Sequence, residues 1–180
     1  MWGTFTAARY RLPLNSKWDC GHREESEAGS LRGVANFTES SIVIDAPSFK
    51  VLSVIADLAS YPEWSQGISS VEILEAGEDS RPLRARFRIE SGPIRDTYEL
   101  AYSWRGDYGV SWQLTQGEVV TAMDGSYALT PTGDSTAVQY RLAVDVKIPM
   151  LGVIKRKAEQ IIIDTALQGL KERVESGAAG

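Results

Sequence analysis

From Ile68 to Val146 the chain returns again and again to a period of two. In PLRARFRIES (82–91), Leu83, Ala85, Phe87 and Ile89 alternate with Arg84, Arg86, Arg88 and Glu90. Alternation this strict marks a strand with one dry face and one wet face. Strand patterns of the same kind run through ISSVEILEAGE (68–78), IRDTYELAYSW (94–104), VSWQLTQ (110–116), VVTAMDGSYALTP (119–131) and TAVQYRLAVDVKI (136–148). The connections, SGPI and RGDYG among them, are short turns. Six strands joined this way make an antiparallel meander. Parity puts Tyr98, Leu100, Tyr102, Trp104, Val110, Trp112, Leu114, Met123, Tyr127, Leu129, Val138, Tyr140, Leu142 and Val144 on the dry face.

Helical spacing frames these strands. NFTESSIVIDA (36–46) suits a first strand that ends at Asp45-Ala46-Pro47, with Pro47 in the first turn of a helix. Val51, Leu52, Ile55 and Leu58 then share one helical face. Pro62, held between Tyr61 and Trp64, lacks an amide donor and its ring clashes with the preceding turn. The helix therefore ends by about Ser60, and a short second turn covers residues 62–66. After Pro149, the segment 150–176 reads as a long helix. Ile154, Ala158, Ile161 and Ile162 lie near one another on it while Ala166, Leu170 and Val174 drift around the cylinder. A helix this widely apolar is expected to be covered on much of its girth.

The chain has 180 residues, enough for one domain with a full core and too few for two. A net charge of -5 and a pI near 5.0 argue against nucleic acid as a partner, because that binding needs clustered Lys and Arg to displace counterions. No apolar run approaches the roughly 20 residues of a membrane-spanning helix. A soluble, cytoplasmic protein is expected. Residues 1–33 show neither period and end in a polar tract bearing Gly and Ser. They lack the apolar core of a secretory signal, and KWDC lacks the small residues that precede a lipidated cysteine. We read them as a disordered extension, followed by a domain over 34–176 and a flexible end at 177–180. Val34 is also a candidate natural start, since valine codons serve as bacterial starts.

The only cysteine, Cys20, and the only histidine, His22, both lie in that extension. Cys/His metal sites, cysteine nucleophiles and histidine triads are thereby excluded from the domain. A single cysteine also makes an intrachain disulfide impossible. GEDSRP and GDYG lack the ordered glycines of a phosphate-binding loop, so no nucleotide or metal cofactor is expected.

IVIDAPSFKVLSVIADLASYPEW, GPIRDTYELAYSW, GSYALTPTGDSTAVQYRLAVDVKIP and KRKAEQIIIDTALQGLKERV together span about Asn36 to Glu175. Over that span the sequence resembles the START-like superfamily, the polyketide cyclase/dehydrase and lipid-transport family, and is most similar to its actinobacterial members. The resemblance implies an α+β helix-grip fold: a curved seven-stranded antiparallel sheet wrapped around the C-terminal helix, with two short helices between the first two strands and a deep apolar cavity. Members bind lipids, quinones, plant hormones or polyketide intermediates, and some catalyse cyclisation.

On this layout the candidate ligand contacts are Trp64, Phe87, Ile89, Tyr98, Leu100, Trp112, Met123, Tyr127, Tyr140 and Leu142, with Ile154, Ala158, Ile161, Ile162 and Thr165 on the closing helix. The small residues Ala158, Thr165, Ala166 and Gly169 leave space there. Any one of these aromatics is also what ordinary core packing looks like. The implied layout puts Tyr61 and Trp64 along the cavity mouth, with Trp64 packed and the Tyr61 hydroxyl wet at the rim. Cyclase chemistry needs a base and hydrogen-bond donors, for which Asp96 and Tyr98, Tyr127 or Tyr140 are the candidates. A shaping cavity that works by proximity is the alternative to acid and base. Carriage of a hydrophobic small molecule asks for less and is the preferred reading. A regulatory protein acting through its surface is a third reading that no residue supports. Lys155, Arg156 and Lys157 could meet an anionic head group, which leaves room for transient membrane contact, and monomer and homodimer both stay open.

Overall fold

The computed structural model describes residues 37–91, 94–147 and 152–177. The expectations for the extension, with Cys20 and His22, and for the last three residues lie outside the described residues. The elements run β1 (Thr38–Ile44), α1 (Ser48–Ala56), a 3-10 turn (Leu58–Ser60), α2 (Tyr61–Trp64), β2 (Ile68–Ala76), β3 (Pro82–Ser91), β4 (Ile94–Trp104), β5 (Gly109–Gly117), β6 (Val120–Thr132), β7 (Ser135–Val146) and α3 (Gly152–Glu175). All seven strands form one antiparallel sheet in the order β1-β7-β6-β5-β4-β3-β2. No helix among the described residues is long and apolar enough to cross a membrane.

The register carries the dry face from strand to strand. Phe87 lies opposite Tyr98, Tyr102 opposite Trp112, Trp112 opposite Gly125, and Tyr127 opposite Tyr140. β1 then joins on the far side of β7, with Thr38 opposite Leu142 and Ile44 opposite Thr136. A register shift between Glu99 and Leu100 breaks the β4–β5 ladder, the kind of irregularity that bends a strand and lets the sheet curl.

The core fills the space between sheet and helices. Ile44, Val51, Ile55, Leu58, Val138, Ile163, Leu170 and Val174 are buried there, the α1 residues at the spacing read from the sequence. Helix α3 packs on β1, β7, α1 and α2. Its buried stripe is Glu159, Ile163, Leu167, Leu170 and Val174. The expectation that α3 is covered on much of its girth is not met: Ile154, Ile161 and Ile162 are exposed. Sheet and short helices reach only one side of the cylinder.

One charged group is buried in that stripe. Glu159 accepts hydrogen bonds from Thr38 Oγ1 at 2.6 Å and from the Val144 backbone N–H at 3.0 Å. Val144 lies beyond the last β1–β7 pair, so its amide has no strand partner on that edge. The carboxylate takes the place of the missing strand. Lys155 pairs with Asp145 beside it.

Gly125 is fixed by a neighbour rather than by a turn. A Cβ there would lie 2.3 Å from Cε2 of Trp112, so the indole lies against the bare backbone. Gly125→Ala is expected to displace that ring and to cost about 1–3 kcal/mol, read as a lower midpoint in urea together with a changed tryptophan emission.

Candidate functional site

The concave face of the sheet is walled by aromatic rings contributed by separate strands. Tyr98 of β4 stacks on Phe87 of β3 with centroids 5.5 Å apart and planes 11° from parallel. Trp112 of β5 lies 5.4 Å from Tyr127 of β6 and 5.6 Å from Tyr140 of β7. Tyr127 and Tyr140 are themselves 4.5 Å apart, and Tyr102 lies 6.2 Å from Trp112. From the helical corner, Tyr61 meets Trp64 edge-on at 4.6 Å and Phe87 at 6.5 Å.

Strand parity found most of this wall. Phe87, Tyr98, Leu100, Trp112, Tyr127, Tyr140 and Leu142 are all buried on the predicted face, with Ile89 and Met123 half-buried against them. The helix candidates divide differently. Ala158 is half-buried, whereas Ile154, Ile161, Ile162 and Thr165 are exposed, away from the stripe that meets β1 and β7. The space at Gly169 is taken by Trp64: a Cβ there would sit 3.1 Å from the Trp64 carbonyl oxygen.

Five phenols belong to the site, and four of them stand without a partner. The hydroxyl of Tyr61, expected wet at the rim, is instead buried and donates to the Ile55 carbonyl at 2.9 Å. Those of Tyr98, Tyr102, Tyr127 and Tyr140 have no hydrogen-bond partner among the described residues. Burial pushes all five pKa values above the ordinary 10.0, and nearby charge adds to it. For Tyr102 the neighbouring phenols are Tyr61, Tyr98, Tyr140 and Tyr127. An ionised phenol here would lose its hydration and face its neighbours' oxygens. The cluster is therefore held neutral, able both to donate and to accept. Trp64 Nε1 is the one fully enclosed side-chain nitrogen or oxygen without a partner among the described residues.

Asp96, the candidate base, has a structural task. Its Oδ2 accepts from the N–H groups of Val119 at 3.1 Å and Val120 at 2.7 Å, and its Oδ1 from Thr97 at 2.8 Å and Glu118 at 3.2 Å. The side chain closes the β5–β6 turn rather than reaching water, Arg95 or Lys147. Sequence reasoning missed Glu159 and placed Tyr61 at the rim. The only signal for Glu159 is a single acid at the spacing of the buried stripe. Elsewhere, an open depression of about 430 Å³ lies over Phe37, Ser103, Ser111, Ser126 and Arg141, on the opposite, wet face.

The profile of the family described as polyketide cyclase / dehydrase and lipid transport matches residues 37–175. The chain belongs to that family. A START superfamily protein from Mycobacterium smegmatis is 25% identical with a TM-score of 0.73, covering 78% of this chain and 97% of that one. A Thermus thermophilus protein is 22% identical (TM-score 0.66; 79% and 99% covered). The Zhui aromatase/cyclase from a Streptomyces species shares the fold at 14% identity, with a TM-score of 0.63 and coverage of 81% and 96%. No curated protein matches the sequence. The START-like resemblance, including its actinobacterial character, holds, as does the helix-grip arrangement of a seven-stranded antiparallel sheet, two short helices between its first two strands and a long C-terminal helix.

Two outcomes follow for this family member. Asp96→Asn turns an amide donor toward backbone donors and is expected to cost about 2–3 kcal/mol in chemical unfolding. The phenols also set an alkaline limit. Their folded pKa values lie above the unfolded 10.0, so the unfolded chain releases protons first as pH rises. Their contribution is full below pH 10 and is lost progressively above it, and unfolding should coincide with the rise of phenolate absorbance.

Proposed function

We propose that this chain binds and carries a hydrophobic small molecule bearing oxygen functions, of lipid, quinone or polyketide-like type, against the concave face of the sheet. The observation that carries the reading is the set of neutral hydroxyls on Tyr98, Tyr102, Tyr127 and Tyr140, set in an apolar wall and without a hydrogen-bond partner among the described residues. Holding a hydroxyl among apolar groups without its full set of hydrogen bonds is costly. A carbonyl or hydroxyl of a ligand would relieve that cost while the rings of Phe87, Trp112 and their neighbours cover its apolar body. The inward positions of β3 to β7 carry no Lys or Arg, so a carboxylate would find no counter-ion on them. Family membership supports the same class of ligand.

Carriage is favoured over cyclase or dehydratase chemistry because the carboxylate of Asp96 is already engaged by backbone amides. The surrounding phenols could orient a reactive chain by proximity, but proton abstraction asks for a base that the domain from Val34 onward cannot draw from histidine.

Organic extraction of gently purified protein, followed by mass spectrometry, should release such a compound. Menadione, a neutral quinone, should quench tryptophan emission saturably. Tyr127→Phe with Tyr140→Phe should weaken that binding by about 5- to 30-fold, at roughly 1 kcal/mol for each lost hydrogen bond. The unfolding midpoint should hold or rise, because neither hydroxyl is paired among the described residues. An empty extract and no saturable uptake would overturn carriage; undiminished binding by the double variant would overturn the role of the phenols.

A further inference from the structure

Over its first turns, α3 departs from the usual pattern of a surface helix. With Glu159, Ile163, Leu167, Leu170 and Val174 buried, helical spacing puts the crest that points away from the protein at Ile154, Ile161 and Thr165, between Lys157 and the half-buried Ala158. A crest in that position is normally polar. Here Ile154 and Ile161 are 55% and 57% exposed, with Val153 at 81% and Ile162 at 46% beside them. Further along, the crest reverts to Gln168 and Glu172, which bond to each other. The apolar exposure is thus confined to the first half of the helix.

A continuous run of positive charge lies in the same half, whereas Lys171 and Arg173 further along are paired with Glu175 and Glu63. Lys155, Arg156 and Lys157 follow one another with no acid between Gly152 and Ala158, in a chain whose net charge is -5. Lys155 is held by Asp145. Arg156 and Lys157 are exposed and, among the described residues, have no ion-pair partner. Lys157 lies to one side of the isoleucine crest and Lys155 to the other, whereas Arg156, three residues before Glu159, falls on the β1 side beside Phe37, Thr38 and Gln160. Apolar side chains outward with cations at their flanks is the arrangement of a helix that lies in the plane of a lipid interface, its apolar face in the acyl boundary and its cations against phosphates. A second copy meeting through the same crest would instead bring these cations together.

We infer that the first half of α3 docks on the surface of an anionic lipid bilayer. Four exposed aliphatic side chains and two unpaired cations give weak, reversible attachment, well short of insertion. The inference is independent of what the concave face holds.

Co-sedimentation of the full chain tests it, with phosphatidylcholine vesicles containing phosphatidylglycerol and with vesicles of phosphatidylcholine alone. Binding is expected to the anionic vesicles only, and to be lost as salt rises from about 0.1 M to about 1 M. Ile154→Ser with Ile161→Ser, and separately Arg156→Glu with Lys157→Glu, should each weaken it by about tenfold or more. Unfolding midpoints should not move, because all four side chains are exposed. Failure of the parent to sediment with anionic vesicles overturns the inference, as does undiminished binding by both variants. A dimer that the isoleucine variant dissolves, with no vesicle binding, assigns the crest to a second copy and overturns it equally.

Discussion

A sheet that is dry on one face must have that face covered, and the closure of β1 onto β7 decides where the cover sits. The two strands come from opposite ends of the domain, and their pairing builds the edge on which α3 is laid. Ile163, Leu167, Leu170 and Val174 are buried there, and Glu159 supplies the acceptor that the β7 edge lacks once β1 has ended. A buried carboxylate is stable only when its oxygens are hydrogen-bonded. Here both are, by groups from two different strands, so the contact ties the helix to the sheet at one defined height.

Because α3 lies toward that edge, the middle of the sheet relies on its own side chains for cover. Rings do the work: Phe87 with Tyr98, and Trp112 with Tyr127 and Tyr140. Gly125 gives Trp112 room to lie down, and Gly169 admits the Trp64 corner against α3. Tyrosines cover the wall as well as phenylalanines would, but they bring hydroxyls into an apolar setting.

Much of this architecture was legible in the residues. Alternation in PLRARFRIES and IRDTYELAYSW located β3 and β4 to the residue, and Pro62 marked the break between the helical pieces. Inward parity picked out the tyrosines and Trp112. Parity could not tell an inward residue that faces a ligand from one that closes a turn, which is why Asp96 looked like a candidate base. Its role depends on the amides of Glu118 to Val120, brought to it by the β5–β6 turn. The helix misled for a related reason. Its apolar residues exceed one stripe, and spacing does not say which stripe the sheet takes.

Local periodicity and composition by themselves determined the strand count, the antiparallel connections, the dry face, and the absence of histidine and cysteine from the domain, because each depends only on nearby residues or on counting. Tertiary structure alone decided that Glu159 holds the edge amide of Val144, that the Tyr61 hydroxyl is buried against Ile55, and that Ile154 and Ile161 are left outside. Each of these depends on which distant segment lies alongside, and a chain's period carries no record of its neighbours in space.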